Sequence, residues 1–412
     1  MWPSPPPSCF ERSPVSTDLA LPDALIIGYF ALLGAVLGSF LNVCILRWGV
    51  EPKQSVMHPP SRCPSCGHAI RWYENIPVVS WLVLRARCSG CGVRISALYP
   101  AIEVTTALLW AGSVALLGLG VPAVKLAVAA TLLLGIAVSD ARAFIIPHEL
   151  SLGGTAIALA FAAWPEPVAV PDAIRGALFG AGLVLLVGEI TELVLGQEAM
   201  GGGDCALMGM IGAFFGWESV WPVVALGAFI SILLHVAAAL RRSAPAVEGT
   251  GGEPSPGLRW GKLIQLLAGG LVLMGLVGVA ARAGVMGSLL RTAFYGVVGA
   301  GAAYYVSFLL PRRMPIGPLT QVWGLIGAAI GIAIGTAHWV GLLAALALGG
   351  GALAWASRST VAASPESTDE LSAHGYLPFG VGLSIAAVLL AFTGGFDRVR
   401  DIFAEIAPGL GL

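Results

Sequence analysis

Long apolar runs separated by short polar stretches dominate this chain of 412 residues. About 20 apolar residues in a helix cross the hydrocarbon core of a bilayer, and in lipid only helices or closed barrels satisfy their own backbone. The pattern therefore predicts an all-α polytopic membrane protein, built as a helical bundle. The runs lie at 24–46, 98–118, 122–139, 149–168, 173–195, 204–217, 219–240, 263–281, 286–310, 319–337, 338–356 and 377–396.

The polar stretches predict the domain organisation. The segment before the first run is rich in Pro and Ser, which favours disorder. The predicted organisation is a disordered extracytoplasmic tail at 1–23, a first membrane helix at 24–46, a small cytosolic loop domain at 47–97, a core of membrane helices at 98–240, an inserted membrane segment of about four helices at 241–376, a final core helix at 377–396 and a C-terminal tail at 397–412.

Basic residues set the predicted orientation. The segment 47–97 contains seven Arg or Lys residues and only two acidic ones. Loops rich in Lys and Arg stay in the cytosol, so this segment is predicted to be cytosolic and the N-terminus extracytoplasmic. Counting helices from there puts Asp140 and Asp204 at cytosolic helix ends.

Composition agrees with a membrane protein and excludes some function classes. Apolar residues make up 57% of the chain and charged residues 11%, which is too little charge for a soluble protein. The net charge of −1 gives no indication of nucleic-acid binding. The 55 glycines fit a bundle in which helix backbones approach closely.

Four of the seven cysteines form two CxxC pairs in a near-repeat, RCPSCGHAI at 62–70 and RCSGCGVRI at 87–95. Four thiolates fill a tetrahedral zinc site and leave no open position. We therefore expect the metal to stabilise this loop domain, which is too small to form a large hydrophobic core. Gly67 and Gly92 would relieve the tight backbone after each pair. The predicted ligands are Cys63, Cys66, Cys88 and Cys91.

Two acids lie next to apolar runs, Asp140 after one and Asp204 before another. An acid at such a depth is costly and usually functional, although each alone is equally interpretable as a helix cap. Two close carboxylates share one proton, so one can activate water while the other polarises a peptide carbonyl. Gly201, Gly202 and Gly203 would let an extended substrate backbone approach Asp204.

At this point the sequence resembles the type IV prepilin peptidases, also called prepilin leader peptidase/N-methyltransferases. The resemblance is carried by the two CxxC pairs and four further stretches: GSFLNVCILR (38–47), SDARAFIIPHEL (139–150), EAMGGGDCALMGMIGAFFGW (198–217) and LPFGVGLSIAAVLLAF (377–392). This sequence departs from the family pattern at His148, where an aspartate is usual, and at Ala206, where a lysine is usual.

The resemblance implies two activities in the bacterial inner membrane. The first is cleavage of type IV prepilins or type II secretion pseudopilins after the leader glycine, with Asp140 and Asp204 in the two catalytic aspartate positions of this GxGD-type protease. The second is methylation of the new N-terminus with S-adenosylmethionine as donor.

Two other interpretations stay open on the residues alone. A proton- or cation-coupled transporter would use the acids as ion sites, but it predicts acids near mid-membrane and a repeat between halves. An inactive scaffold would use the zinc loop to bind partners, but both acidic motifs are intact.

Overall fold

The computed structural model describes residues 21–48, 55–164, 170–195, 201–242, 297–298, 300–302, 379–399 and 401. These ranges consist of helices and connecting segments, with two isolated β-bridges but no strand. The chain is therefore an all-α membrane protein, as predicted. Its α-helices are α1 (Leu21–Trp48), α2 (Val79–Val83), α3 (Leu98–Leu117), α4 (Val121–Ala143), α5 (His148–Ala162), α6 (Val170–Leu195), α7 (Gly202–Phe215), α8 (Val220–Arg242) and α9 (Phe379–Thr393).

Four of these helices are long and apolar enough to cross a membrane: Asp23–Trp48, Leu98–Leu117, Val121–Ala143 and Val170–Thr191. Each coincides with a predicted apolar run, and α5, α7, α8 and α9 lie at four of the others. The runs predicted at 263–281, 319–337 and 338–356 lie outside the described residues, as does all of 286–310 except 297–298 and 300–302.

The chain divides into two compact units. The first comprises Met1–Ile174, Ala213–Ile230 and Pro378–Val399, and the second comprises Arg175–Gly212, Ser231–Leu377 and Arg400–Leu412. The first unit contains α1 to α5 and α9, so a helix from the end of the sequence packs among those from its beginning.

In the first unit, α1 packs directly on α3 through two glycines one turn apart. A Cβ atom at Gly34 would lie 2.7 Å from the carbonyl oxygen of Thr106, and one at Gly38 would lie 2.9 Å from the Cα of Glu103. Small residues at this spacing let membrane helices approach backbone to backbone. The indole N–H of Trp110 then donates to the hydroxyl of Thr131 at 2.9 Å, which ties α3 to α4.

In the second unit, α6 and α7 meet in the same way. A Cβ at Gly180 would collide with the carbonyl oxygen of Met208, and one at Gly212 would collide with that of Gly176. Gly176 and Gly180 are four residues apart on α6, as are Met208 and Gly212 on α7, so each pair lies on one face of its helix. The middle of α7, which begins one turn after Asp204, is thereby packed against α6.

Candidate functional site

The cysteine pairs form two similar turns. In the first, the N–H of Gly67 donates to the carbonyl oxygen of Cys63 at 2.9 Å, and in the second Gly92 does the same to Cys88 at 2.9 Å. Gly67 and Gly92 have φ values of 71° and 72°, which glycine adopts without a steric cost. The predicted role of both glycines is confirmed.

The two turns bring the four thiols together. The sulfur atoms of Cys63 and Cys91 are 3.9 Å apart, those of Cys66 and Cys88 are 4.0 Å apart, and all four lie within 4.8 Å of one another. A tetrahedral zinc ion with Zn–S bonds of about 2.3 Å needs sulfur–sulfur distances of about 3.8 Å. The donor set therefore fits such an ion, and the cluster could hold a metal.

Backbone groups prepare one of these thiols for a metal. The N–H groups of Cys66 and Ser65 lower the pKa of the Cys63 thiol to about 6. Because the thiolate is the form that binds metal, these N–H groups favour Cys63 as a metal ligand.

A polar network that the sequence analysis missed joins the two turns. The hydroxyl of Ser89 donates to Glu74 at 2.6 Å, and the ring of His68 lies 3.2 Å from the other carboxylate oxygen. The N–H of Arg71 and the Ser89 hydroxyl are the main causes that lower the pKa of Glu74 to about 2. Glu74 therefore stays ionised at neutral pH and links the first cysteine turn to the second.

Asp140 lies three residues before the end of α4, at one end of a membrane-spanning helix, and is buried. Its Oδ2 accepts the backbone N–H of Val381, in the first turn of α9, at 3.0 Å. Helix N-termini present N–H groups without intrahelical partners, and they favour a negative charge. The start of α9 therefore forms a binding site for this carboxylate, and we call this site the seat of Asp140.

Gly380 completes this seat. A Cβ atom there would lie 2.9 Å from Asp140 Oδ2 and 2.8 Å from Ile146 Cδ1. A side chain at 380 would force the carboxylate or its neighbour to move. The sequence analysis did not identify Gly380 or Val381, because only the fold brings α9 next to residues 240 positions earlier in the chain. The available signal was the Pro-x-Gly at the start of that helix, residues 378–380.

Asp204 is the third residue of α7 and is also buried. Its backbone N–H donates to the carbonyl oxygen of Gly201 at 3.0 Å. Gly202 and Gly203 are the first two residues of the helix, and a Cβ at Gly202 would meet no atom within 4 Å. Asp140 belongs to the first unit and Asp204 to the second.

Comparison with known proteins gives consistent matches. The model of the bacterial peptidase A24 N-terminal domain matches residues 32–117, and that of the type IV leader peptidase family matches residues 127–236. The chain is similar to proteins named prepilin leader peptidase/N-methyltransferase. In Myxococcus xanthus (strain DK1622) the identity is 40% over 237 residues, covering 55% of this chain and 68% of the relative.

Two further relatives with the same name agree. The protein of Pseudomonas putida is 35% identical over 243 residues, which cover 53% of this chain and 83% of the relative. That of Burkholderia pseudomallei (strain K96243) is 30% identical over 259 residues, which cover 57% and 84%. No solved structure matches the chain. The predicted insert at 241–376 lies outside both family-model matches.

Proposed function

The chain belongs to the type IV leader peptidase family, and from this membership we propose that it cleaves type IV prepilins or type II secretion pseudopilins after the leader glycine. Cleavage takes place at the cytosolic face of the bacterial inner membrane, and Asp140 and Asp204 are the catalytic carboxylates. The observation that carries the proposal is the buried carboxylate of Asp140 at the end of a membrane-spanning helix, held on the first turn of α9.

In this mechanism the two carboxylates act as one pair with a single shared proton. The ionised member takes a proton from water, and the water oxygen forms a bond to the scissile carbonyl carbon. The protonated member donates a hydrogen bond to the carbonyl oxygen, where negative charge develops. The tetrahedral intermediate then expels the amine, which leaves with a proton from the pair as the C–N bond breaks.

The experiment that tests this function is co-expression of the full chain with candidate prepilins from the same genome. We expect the mass of the matching prepilin to fall by that of its leader, with a new N-terminus directly after the leader glycine. If every prepilin and pseudopilin of that genome keeps its leader in the presence of the membrane-inserted chain, the proposal is wrong.

A second activity is proposed from the names of the relatives and the resemblance. The amine freed by cleavage would take a methyl group that S-adenosylmethionine supplies, and we assign no residue of this chain to the donor. The same mass measurement tests it, because methylation replaces one hydrogen of the amine by a methyl group and so makes the N-terminus heavier by one CH2 unit. A product that is cleaved but not methylated would limit the chain to proteolysis.

We further propose that the four-cysteine cluster binds zinc and that its role is structural. Four thiolates fill the tetrahedral coordination shell, so no position is left for substrate or water. We expect elemental analysis of the purified chain to give one zinc per chain, and Cys63→Ser to lose zinc and expose the segment 55–97 to proteolysis. A zinc-free chain with the same protease resistance would contradict this role.

The glycine run before Asp204 is proposed as the place where the substrate backbone approaches. Gly202 is exposed and has room for a Cβ, so packing within the chain does not require glycine there. Since alanine also favours helix by up to about 1 kcal/mol, Gly202→Ala should keep or raise stability. We expect this variant to raise KM for prepilin several-fold.

The matched control is Gly153→Ala, which also adds a Cβ where no atom lies within 4 Å but does so on α5. It should leave KM unchanged. A wild-type KM in Gly202→Ala would show that the substrate backbone does not approach the chain at this glycine run.

A further inference from the structure

The segment between α1 and α3 exposes an apolar surface that the proposed chemistry does not use. We name it the 72–83 face. Trp72 is 81% exposed, Leu82 is 61% exposed and Val83 is 74% exposed. Within α2, Val79, Leu82 and Val83 are spaced as i, i+3 and i+4, so they share one side of the helix. The face consists of Trp72, Tyr73, Ile76, Val79, Leu82 and Val83.

A hydrogen bond fixes this face close to the membrane. The carboxylate of Glu103, in the second turn of α3, accepts the backbone N–H of Val78 at 2.7 Å. Val78 directly precedes α2. Because α3 has 20 residues and needs about that many to cross a bilayer, its first residue lies near the hydrocarbon boundary. Glu103 lies about 7.5 Å further along the helix. Helices that lie in the membrane plane bury their apolar face about 5–10 Å into the boundary between headgroups and acyl chains, and α2 begins at that depth.

Charge and residue type agree with that depth. Arg71 precedes the face, while Arg85 and Arg87 follow it, and all three are exposed. Trp and Tyr are enriched where acyl chains meet headgroups, and Arg beside them binds anionic lipid phosphates. An apolar face flanked by cations is the composition of helices that lie in the membrane plane.

We propose that the 72–83 face is a membrane-interface element: its apolar side chains insert at the boundary between acyl chains and headgroups, and Arg71, Arg85 and Arg87 bind anionic lipid phosphates. The lipid surface fits better than a protein partner because the segment is attached to membrane-spanning helices at both ends. The Glu103–Val78 hydrogen bond then orients the zinc-binding domain against the bilayer, independently of the proposed peptidase chemistry.

The test is photocrosslinking of the full chain in nanodiscs of phosphatidylglycerol and phosphatidylcholine. A benzophenone amino acid replaces Val83 in one variant and Val93 in the other. Val93 is the matched control, since it is also an exposed valine at 41% but lies in the second cysteine turn, outside the face. Zinc content and resistance to proteolysis verify that each variant is folded.

We expect lipid-mass adducts from position 83 and none from position 93. The adducts should be enriched in phosphatidylglycerol, and Arg85→Gln should lower that enrichment about fivefold, the effect of one basic residue near an anionic surface. Equal lipid labelling at both positions, or none at 83, would overturn the proposal. If purified prepilin added to the nanodiscs replaces lipid as the adduct at position 83, the proposal is overturned and the face is a substrate-docking surface.

Discussion

Asp140→Asn and Asp204→Asn will each abolish leader cleavage while the protein still inserts and folds. Asparagine keeps a side-chain oxygen that can accept the N–H of Val381, so the seat at the start of α9 survives. It cannot exchange a proton near neutral pH. Since general acid–base groups contribute about 10²–10⁴-fold to rate, we expect a loss of at least that size in each variant. The measurement is the rate of leader removal from a purified prepilin.

Asp172→Asn provides the matched control for these substitutions. Asp172 is an exposed acid in the first turn of α6, just as Asp204 is an acid in the first turn of α7. If acids at helix starts merely cap them, the Asp172 and Asp204 variants will lose similar stability and keep cleavage. If Asp204 is catalytic, only its variant loses cleavage at unchanged unfolding temperature. Full cleavage by either the Asp140 or the Asp204 variant would contradict the aspartyl mechanism.

Gly380→Ala will lower the turnover of leader cleavage without weakening prepilin binding. The added Cβ would collide with Asp140 Oδ2 and Ile146 Cδ1, both under 3 Å away. Overpacking at such a position costs about 1–3 kcal/mol. If the collision displaces the carboxylate from its catalytic position and raises the activation free energy by the same amount, the rate falls about 5–150-fold. We therefore expect a lower kcat with an unchanged KM, because Gly380 positions a carboxylate and does not itself bind substrate.

Gly153→Ala is again the appropriate comparison, as it adds the same atom to a helix of the first unit where nothing is close. It should keep wild-type kcat and unfolding temperature. A wild-type kcat in Gly380→Ala would show that catalysis does not depend on how α9 holds Asp140. A lower unfolding temperature with an unchanged kcat would show that Gly380 serves helix packing only.

The transporter interpretation predicted acids near the middle of the membrane. Asp140 instead lies in the last turn of α4, and Asp204 lies in the first turn of α7. Both therefore lie at helix ends and not in the middle of a helix.

Much of the fold followed from local pattern, because a membrane helix satisfies its own backbone hydrogen bonds within one segment. The apolar runs at 98–118 and 122–139 correspond to α3 and α4, which begin and end within a few residues of those limits. The cysteine cluster was equally readable, since each CxxC turn is local and only the joining of two turns needs the fold. The glycines after the pairs were identified because a left-handed backbone is a property of a single residue.

Contacts between distant segments were not readable from the sequence. The seat of Asp140 comes from Gly380 and Val381, which follow the predicted insert and meet α4 only through tertiary packing. The Glu74 network and the Glu103–Val78 hydrogen bond likewise join residues with no local signal in common. The sequence alone therefore determined the membrane helices, the four-cysteine cluster and the candidate acids, because these depend on periodicity and spacing. Only the tertiary structure decided what surrounds each acid and which apolar side chains stay exposed, because burial depends on which helices pack together.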